Sequence, residues 1–123
     1  MLFVCYPKCG TCRKARKYLD EHGIPYEERM IKEDPPTEKE LRRWQSVSGL
    51  PVKKFFNTSG QLYREMNLKE KLNEMSEDEM FQLLASDGML VKRPVLILKD
   101  RVLVGFKEAE YDTLKKISKS EAV

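Results

Sequence analysis

Cys5-Tyr6-Pro7-Lys8-Cys9-Gly10-Thr11-Cys12-Arg13-Lys14 holds all 3 cysteines of the chain, and the structure on either side of it decides the fold. Before it, Leu2-Phe3-Val4-Cys5 is a short apolar run that reads as a buried strand, stopped by Pro7. After it, Ala15, Tyr18 and Leu19 recur at helical spacing from Cys12, while Arg13, Lys14, Arg16, Lys17, Asp20 and Glu21 fill the other face up to Gly23. The thiols therefore sit where a strand runs into an amphipathic helix. Ile24 to Ile31 reads as a second strand, and a crossover through one helix places two such strands parallel.

Farther along, Thr37-Glu38-Lys39-Glu40 has capping-box spacing, and Leu41, Trp44 and Val47 continue an apolar helical face as far as Gly49. Ser76-Glu77-Asp78-Glu79 repeats the box, with Met75 and Met80 spaced for a hydrophobic staple and Phe81, Leu83 and Leu84 leading to a stop at Asp87-Gly88. Between these helices, Phe55 to Gly60 reads as the end of a short helix and a turn, and Leu68 to Met75 as another short helical piece. Val95 to Leu98 and Val102 to Val104 form a hairpin around Lys99-Asp100-Arg101, and a last helix runs from Lys107 to Ile117. The order β-α-β, helical block, β-β-α predicts an α/β, thioredoxin-like (glutaredoxin-like) fold with a mixed four-stranded sheet. All of residues 1–123 are expected in that single domain, with a helical insertion over about 35–88.

Composition narrows the function. The 123 residues suit one core, and 35% charged with 41% hydrophobic residues is the balance of a globular protein. A net charge of +3, with 23 basic and 20 acidic residues interspersed, gives no basic footprint for direct nucleic-acid binding. No apolar run approaches the roughly 20 residues of a membrane span. The apolar start is too short for a signal-peptide core and has no basic leader, so a cytoplasmic location is expected. Thiols stay reduced there unless they are catalytic or sensing.

Cys9 falls at the start of the helix, where unpaired amides and the macrodipole favour an anion, so it is the expected nucleophile. Cys12, one turn on and facing the core, is the expected resolving thiol, with Gly10 and Thr11 between the two. Arg13, Lys14, Arg16 and Lys17 stand at the wrong end of a helix for cations, which suggests a compensating role such as stabilising a thiolate. Arg13, beside the motif, is the strongest candidate; Arg16 and Lys17 could instead pair with Asp20 and Glu21. Zinc needs four ligands, yet the single histidine, His22, lies at the far end of the helix. The Cys5-x3-Cys9-x2-Cys12 spacing also suits an iron–sulfur cluster, but a strand and a helix would point those thiols apart. Neither a metal nor a cofactor is expected.

Tyr6 to Ala15 together with Leu90-Val91-Lys92-Arg93-Pro94-Val95 resembles the arsenate reductase (ArsC)/Spx family, and the likeness covers nearly the whole chain. The resemblance implies a thioredoxin-like fold, Cys9 as the reactive cysteine, Arg93 beside it, and Pro94 as the proline, typically cis, that faces the site. It implies a thiol-disulfide oxidoreductase reset by a thiol reductant, either glutathione with glutaredoxin or a thioredoxin system. Glutathione-dependent members surround an oxyanion with three arginines, of which Arg93 alone is matched; the other positions fall on Asn57 and Gly105, with Arg64 and Arg101 out of register. Weak or absent arsenate reduction is therefore expected. Spx-type members share the cysteine pair and the Arg-Pro step and bind the carboxy-terminal domain of the RNA polymerase α-subunit. The segment Ser48 to Lys54 differs from theirs, and the regulatory reading stays open beside the enzymatic one.

Overall fold

A computed structural model describes residues 1–116. Strand β1 (Leu2–Cys5), helix α1 (Gly10–Glu21) and strand β2 (Glu27–Met30) form the expected β-α-β unit, with β1 and β2 parallel from Leu2↔Glu27 to Cys5↔Met30. Strand β3 (Val95–Ile97) runs antiparallel to β1, and β4 (Val102–Val104) antiparallel to β3, giving a mixed sheet in the order β2-β1-β3-β4. This is the thioredoxin-like arrangement that the order of elements predicts.

The second strand begins later than its apolar pattern suggests, and the helix before it gives the reason. Gly23 adopts φ +63°, and Ile24 N–H returns to Leu19 O at 2.9 Å, so residues 23 and 24 complete the end of α1. The ladder starts only at Glu27, whose N–H donates to Met1 O at 2.8 Å. Along β1 the side chains alternate: Phe3 and Cys5 join Cys12, Ala15, Tyr18 and Leu19 of α1 in one buried cluster with Leu96, Leu98, Tyr111 and Leu114. The expected last helix is α-helical only over Glu108–Asp112 and continues as a 3-10 turn over Thr113–Lys116; its expected end at Ile117 lies outside the described residues.

Residues Ile31–Lys92 form a compact helical unit of their own, distinct from the unit that contains the sheet. Helices α2 (Glu38–Ser48), α3 (Gln61–Glu65), α4 (Leu68–Lys71) and α5 (Glu77–Ser86) are joined by 3-10 turns at Val52–Phe55 and Leu72–Glu74. Both expected capping boxes are present: Thr37 and Ser76 accept from Glu40 and Glu79 N–H at 3.1 Å each, and each glutamate accepts in return from its cap. Helix α2 packs against α5, with Arg42 bound to Glu38 at 3.0 Å and to Asp78 at 2.8 Å.

Val47, expected on the buried face, is 42% exposed. A three-residue step falls about 60° short of a full turn, so two steps carry Val47 roughly 120° away from Leu41. Helix α3 was not anticipated from the sequence because none of its residues is buried, leaving no apolar period to read.

Gly88 is required by proximity. A Cβ built on it would lie 2.4 Å from Ile31 O, a backbone atom with little freedom to yield. Gly88→Ala is expected to lower stability by about 1–3 kcal/mol through overpacking, which urea denaturation of the full chain measures.

Candidate functional site

The junction between β1 and α1 is organised by Tyr6. Its carbonyl accepts Cys9 N–H at 3.0 Å, its own N–H donates to Cys12 Sγ at 3.3 Å, and Arg93 Cζ lies 5.0 Å above the centre of its ring. One residue thus touches both thiols' segments and the arginine. The backbone bonds follow from the tight turn through Pro7 and Lys8, while the ring contact is a cation–π interaction.

Cys9 is the N-cap of α1, with φ −88° and ψ 123°, and its carbonyl accepts the first helical bond from Arg13 N–H at 3.1 Å. It is half-buried, whereas Cys12 is buried at 1% exposure. All three cysteines are free thiols. Burial works against ionisation of Cys9, but the Cys12 N–H, the Cys12 thiol, the Thr11 N–H and the positive charge of Arg93 together hold its pKa below the ordinary cysteine value. Burial pushes Cys12 the other way, up to about 12; the Tyr6 N–H offsets part of this, and charge on Cys9 adds to the rise.

The supporting residues take different places. Gly10 and Thr11 open α1 on its exposed side, and a Cβ on Gly10 would meet nothing within 4 Å. Arg13 donates through Nε to Pro7 O at 3.0 Å, which ties the turn down. The Arg93–Pro94 peptide is cis, and Pro94 O accepts Gly105 N–H at 2.8 Å. Arg101 lies at the opposite end of the β3–β4 hairpin from Arg93 and donates to Thr113 Oγ1 at 2.9 Å. It does not stand in for a second arginine beside Cys9.

The basic face of α1 also differs from expectation. Lys17 pairs with Glu21 at 3.8 Å, but Arg16 reaches Glu28 on β2 rather than Asp20 and donates to Cys5 Sγ at 3.4 Å. Asp20 instead accepts from the Tyr26 hydroxyl at 2.9 Å. Arg16 thus serves a structural pairing with β2. Among the described residues no group of three or more His, Cys, Asp or Glu side chains is placed to hold a metal ion. No described helix is long and apolar enough to cross a membrane.

The opposed thiol shifts have opposite linkage. An acid whose folded pKa is raised stabilises the fold below its unfolded pKa and loses that contribution as pH rises through the folded value. For Cys12 the window runs from the ordinary cysteine value to about 12, and Tyr18 and Tyr26, both raised to about 12 by burial and their carboxylate partners, act in the same sense. Cys9, being lowered, contributes above its unfolded pKa and loses that contribution as pH falls through its folded value. Denaturation of the reduced protein is expected to show stability falling progressively above about pH 9, with a shallower fall in Cys12→Ala.

Comparison with known proteins places these residues in a family. The ArsC family profile matches residues 5–114. YusI of Bacillus subtilis (strain 168) is 58% identical over 112 residues, covering 91% of this chain and 95% of its own. The global transcriptional regulator Spx of Listeria innocua is 31% identical over 104 residues, covering 85% of this chain and 78% of its own. A solved ArsC family related protein from Bacteroides fragilis superposes with a TM-score of 0.90 at 53% identity, over 92% of this chain and 95% of that one. With the family profile running from the last residue of β1 to the start of the closing 3-10 turn, the chain belongs to the ArsC family.

Proposed function

We propose that the chain is a thiol-disulfide oxidoreductase of the ArsC type that works through Cys9 and Cys12. The observation that carries this reading is the opposed displacement of two interacting thiols, with Cys9 held toward thiolate and Cys12 held as thiol. A nucleophile must be ionised to attack, and a resolving thiol must stay protonated until a mixed disulfide forms beside it. Family membership and the Cys9-x-x-Cys12 spacing support the same chemistry.

In this reading the Cys9 thiolate attacks a sulfur of an oxidised substrate and displaces its leaving group. Cys12 then loses its proton and attacks Cys9 Sγ, releasing the reduced substrate as the Cys9–Cys12 disulfide forms. The pair has given up two electrons, and an external thiol system, glutathione with glutaredoxin or thioredoxin, returns them. Arg93 holds an anionic group of the substrate or the thiolate itself. Gly10, Thr11, Arg13 and Pro94 shape the turn around the thiols. The helical segment of about 35–88 is read as an insertion into one thioredoxin-like domain.

Mild oxidation is expected to give a reversible Cys9–Cys12 disulfide with Cys5 left free, identified by mass spectrometry of the alkylated protein. In the reduced protein, the alkylation midpoint of Cys9 should lie below that of an ordinary cysteine, move upward in Arg93→Ala, and be accompanied by much slower reaction of Cys12. A dominant Cys5–Cys9 bridge, or a Cys9 midpoint at the ordinary value, would refute the mechanism.

A second reading rests on the likeness to the global transcriptional regulator Spx. In it the same disulfide would alter a surface that binds the carboxy-terminal domain of the RNA polymerase α-subunit, without turnover. Retention of that domain by the immobilised chain, changing between oxidised and reduced forms, is the expected outcome under this reading; no retention in either form would exclude it.

A further inference from the structure

One hydrogen bond at the junction joins a strong donor to a weak acceptor. Tyr6 lies one residue past the end of β1, and its N–H donates to Cys12 Sγ at 3.3 Å while its carbonyl accepts the Cys9 N–H at 3.0 Å. A backbone amide is a strong donor, and a neutral thiol sulfur accepts only weakly. The pairing gains most when the sulfur is charged, because a hydrogen bond to an ionised group is roughly twice as strong as one between neutral groups. Cys12 is buried among Phe3, Ala15 and Leu19, surroundings that solvate an anion poorly. Disulfide exchange nevertheless requires that sulfur to hold charge.

We propose that the Tyr6 amide is a catalytic donor, placed to stabilise negative charge on the Cys12 sulfur each time the Cys9–Cys12 bond forms or breaks. The inference rests on the reading of Cys9 and Cys12 as the exchanging pair, and adds to it a main-chain group that touches a reacting atom. When a dithiol reductant resets the protein, one of its thiolates attacks Cys9 Sγ, the half-buried member of the pair. A bond forms between the reductant and Cys9, the Cys9–Cys12 bond breaks, and its electron pair leaves on Cys12 Sγ, where the Tyr6 N–H meets it. Cys12 then takes its proton from water. The second thiolate of the reductant attacks the reductant sulfur of the mixed disulfide, closing the oxidised reductant and releasing Cys9 as thiolate. In the oxidising direction the same donor stabilises Cys12 as it loses its proton to attack Cys9.

An amide suits this task better than an ionisable side chain. Its proton stays in place across the pH range in which thiols exchange, so the donor is never titrated away. Its peptide is pinned from the other side by the Cys9 N–H, so the donor is in position before charge develops and no reorganisation is needed when it does. Burial raises the Cys12 thiol to about 12, and the Tyr6 N–H acts against that rise.

Joining a synthetic peptide of residues 1–8 to Cys9 at the head of the remaining chain gives the full protein with an ester oxygen in place of the Tyr6 nitrogen, which removes this donor and keeps every side chain. The oxidised ester chain is reduced with dithiothreitol over a pH series beside the same ligated chain with its normal amide. Rates are normalised to the thiolate concentration of the reductant. A hydrogen bond to a full charge contributes tenfold or more, and the transition state carries about half of that charge, so slowing of about three- to tenfold is expected. A mixed disulfide on Cys9 should live longer, and the pH at which Cys12 resolves it should move upward. The Cys9 alkylation midpoint should be unchanged. A turn that is merely loosened acts with the opposite sign, exposing Cys12 and speeding its alkylation. An unchanged normalised rate and resolution profile, or faster Cys12 alkylation without slower reduction, would overturn the proposal.

A second test needs no ester. In a full chain with Cys9→Ser and selenocysteine in place of Cys12, the selenol ionises at lower pH than the thiol it replaces, and the Tyr6 amide proton is followed by NMR through that titration. It should move downfield as the selenolate forms, because the bond to a charged acceptor tightens. A Tyr6 proton that stays in place while the selenolate absorbance rises would overturn the inference. A parent chain that forms no Cys9–Cys12 disulfide at all would refute the underlying mechanism and this inference together, an outcome distinct from a normal disulfide reduced at the same rate with amide and with ester.

Discussion

The chemistry at this junction depends on the way the peptide groups of Tyr6 bind the end of a strand to the start of a helix. The carbonyl accepts the Cys9 N–H and the amide donates a hydrogen bond to Cys12 Sγ, so the Cys9 backbone and the buried Cys12 sulfur are both located from one residue. A turn held by main-chain bonds tolerates little sideways movement. Because Tyr6 follows β1 directly, its position is inherited from the central strand of the sheet, which is paired on both sides. The ring beneath Arg93 carries the same reference frame to the positive charge that acts on Cys9.

Two thiols three residues apart could be expected to behave alike, and the helix makes them different. The first lies at a terminus, where amide protons have no intrahelical partner and collect on a sulfur. The second lies one turn along on the apolar stripe, where the same helix offers it a core of Phe3, Ala15, Leu19 and Leu96. Identical chemistry in two dielectric environments yields one group suited to carrying charge and another suited to avoiding it. No additional acid or base is needed to establish that difference.

Much of this was legible in the sequence because it is local. The strand-to-helix junction, both capping boxes and the hairpin at Lys99 to Arg101 are set by residues within a few positions of each other, and all were found where the spacing placed them. The features that escaped depend on distant partners or on the absence of a pattern. Asp20 was the structural partner that the sequence offered Arg16 as an alternative to a role at the thiols, because helical neighbours are all that spacing can reveal; its partner Glu28 comes from the adjoining strand. Tyr111 gives no signal as one aromatic in the last helix, and only the packing of that helix sets it in the core with Cys12. Tyr6 stands within the cysteine motif, yet a role played through its backbone leaves no mark on residue type. Val47 was misplaced by treating three-residue steps as complete turns.

The arrangement around Cys5 bears on how many electrons the protein can hold. A chain with 3 thiols has an odd one, and disulfide exchange offers no intrinsic rule about which is left out. Here Cys5 is 0% exposed, burial raises its pKa, and its sulfur lies between the Arg16 guanidinium and the Glu28 carboxylate. A thiol kept protonated and covered in this way would, under the proposed mechanism, compete poorly as a nucleophile and disfavour a Cys5 bridge. Under the proposed mechanism the burial of Cys5 between α1 and the sheet would do more than fill a core: with the Glu28 carboxylate acting in the same sense and the Arg16 guanidinium against it, it would keep the redox stoichiometry of a three-cysteine chain at one dithiol.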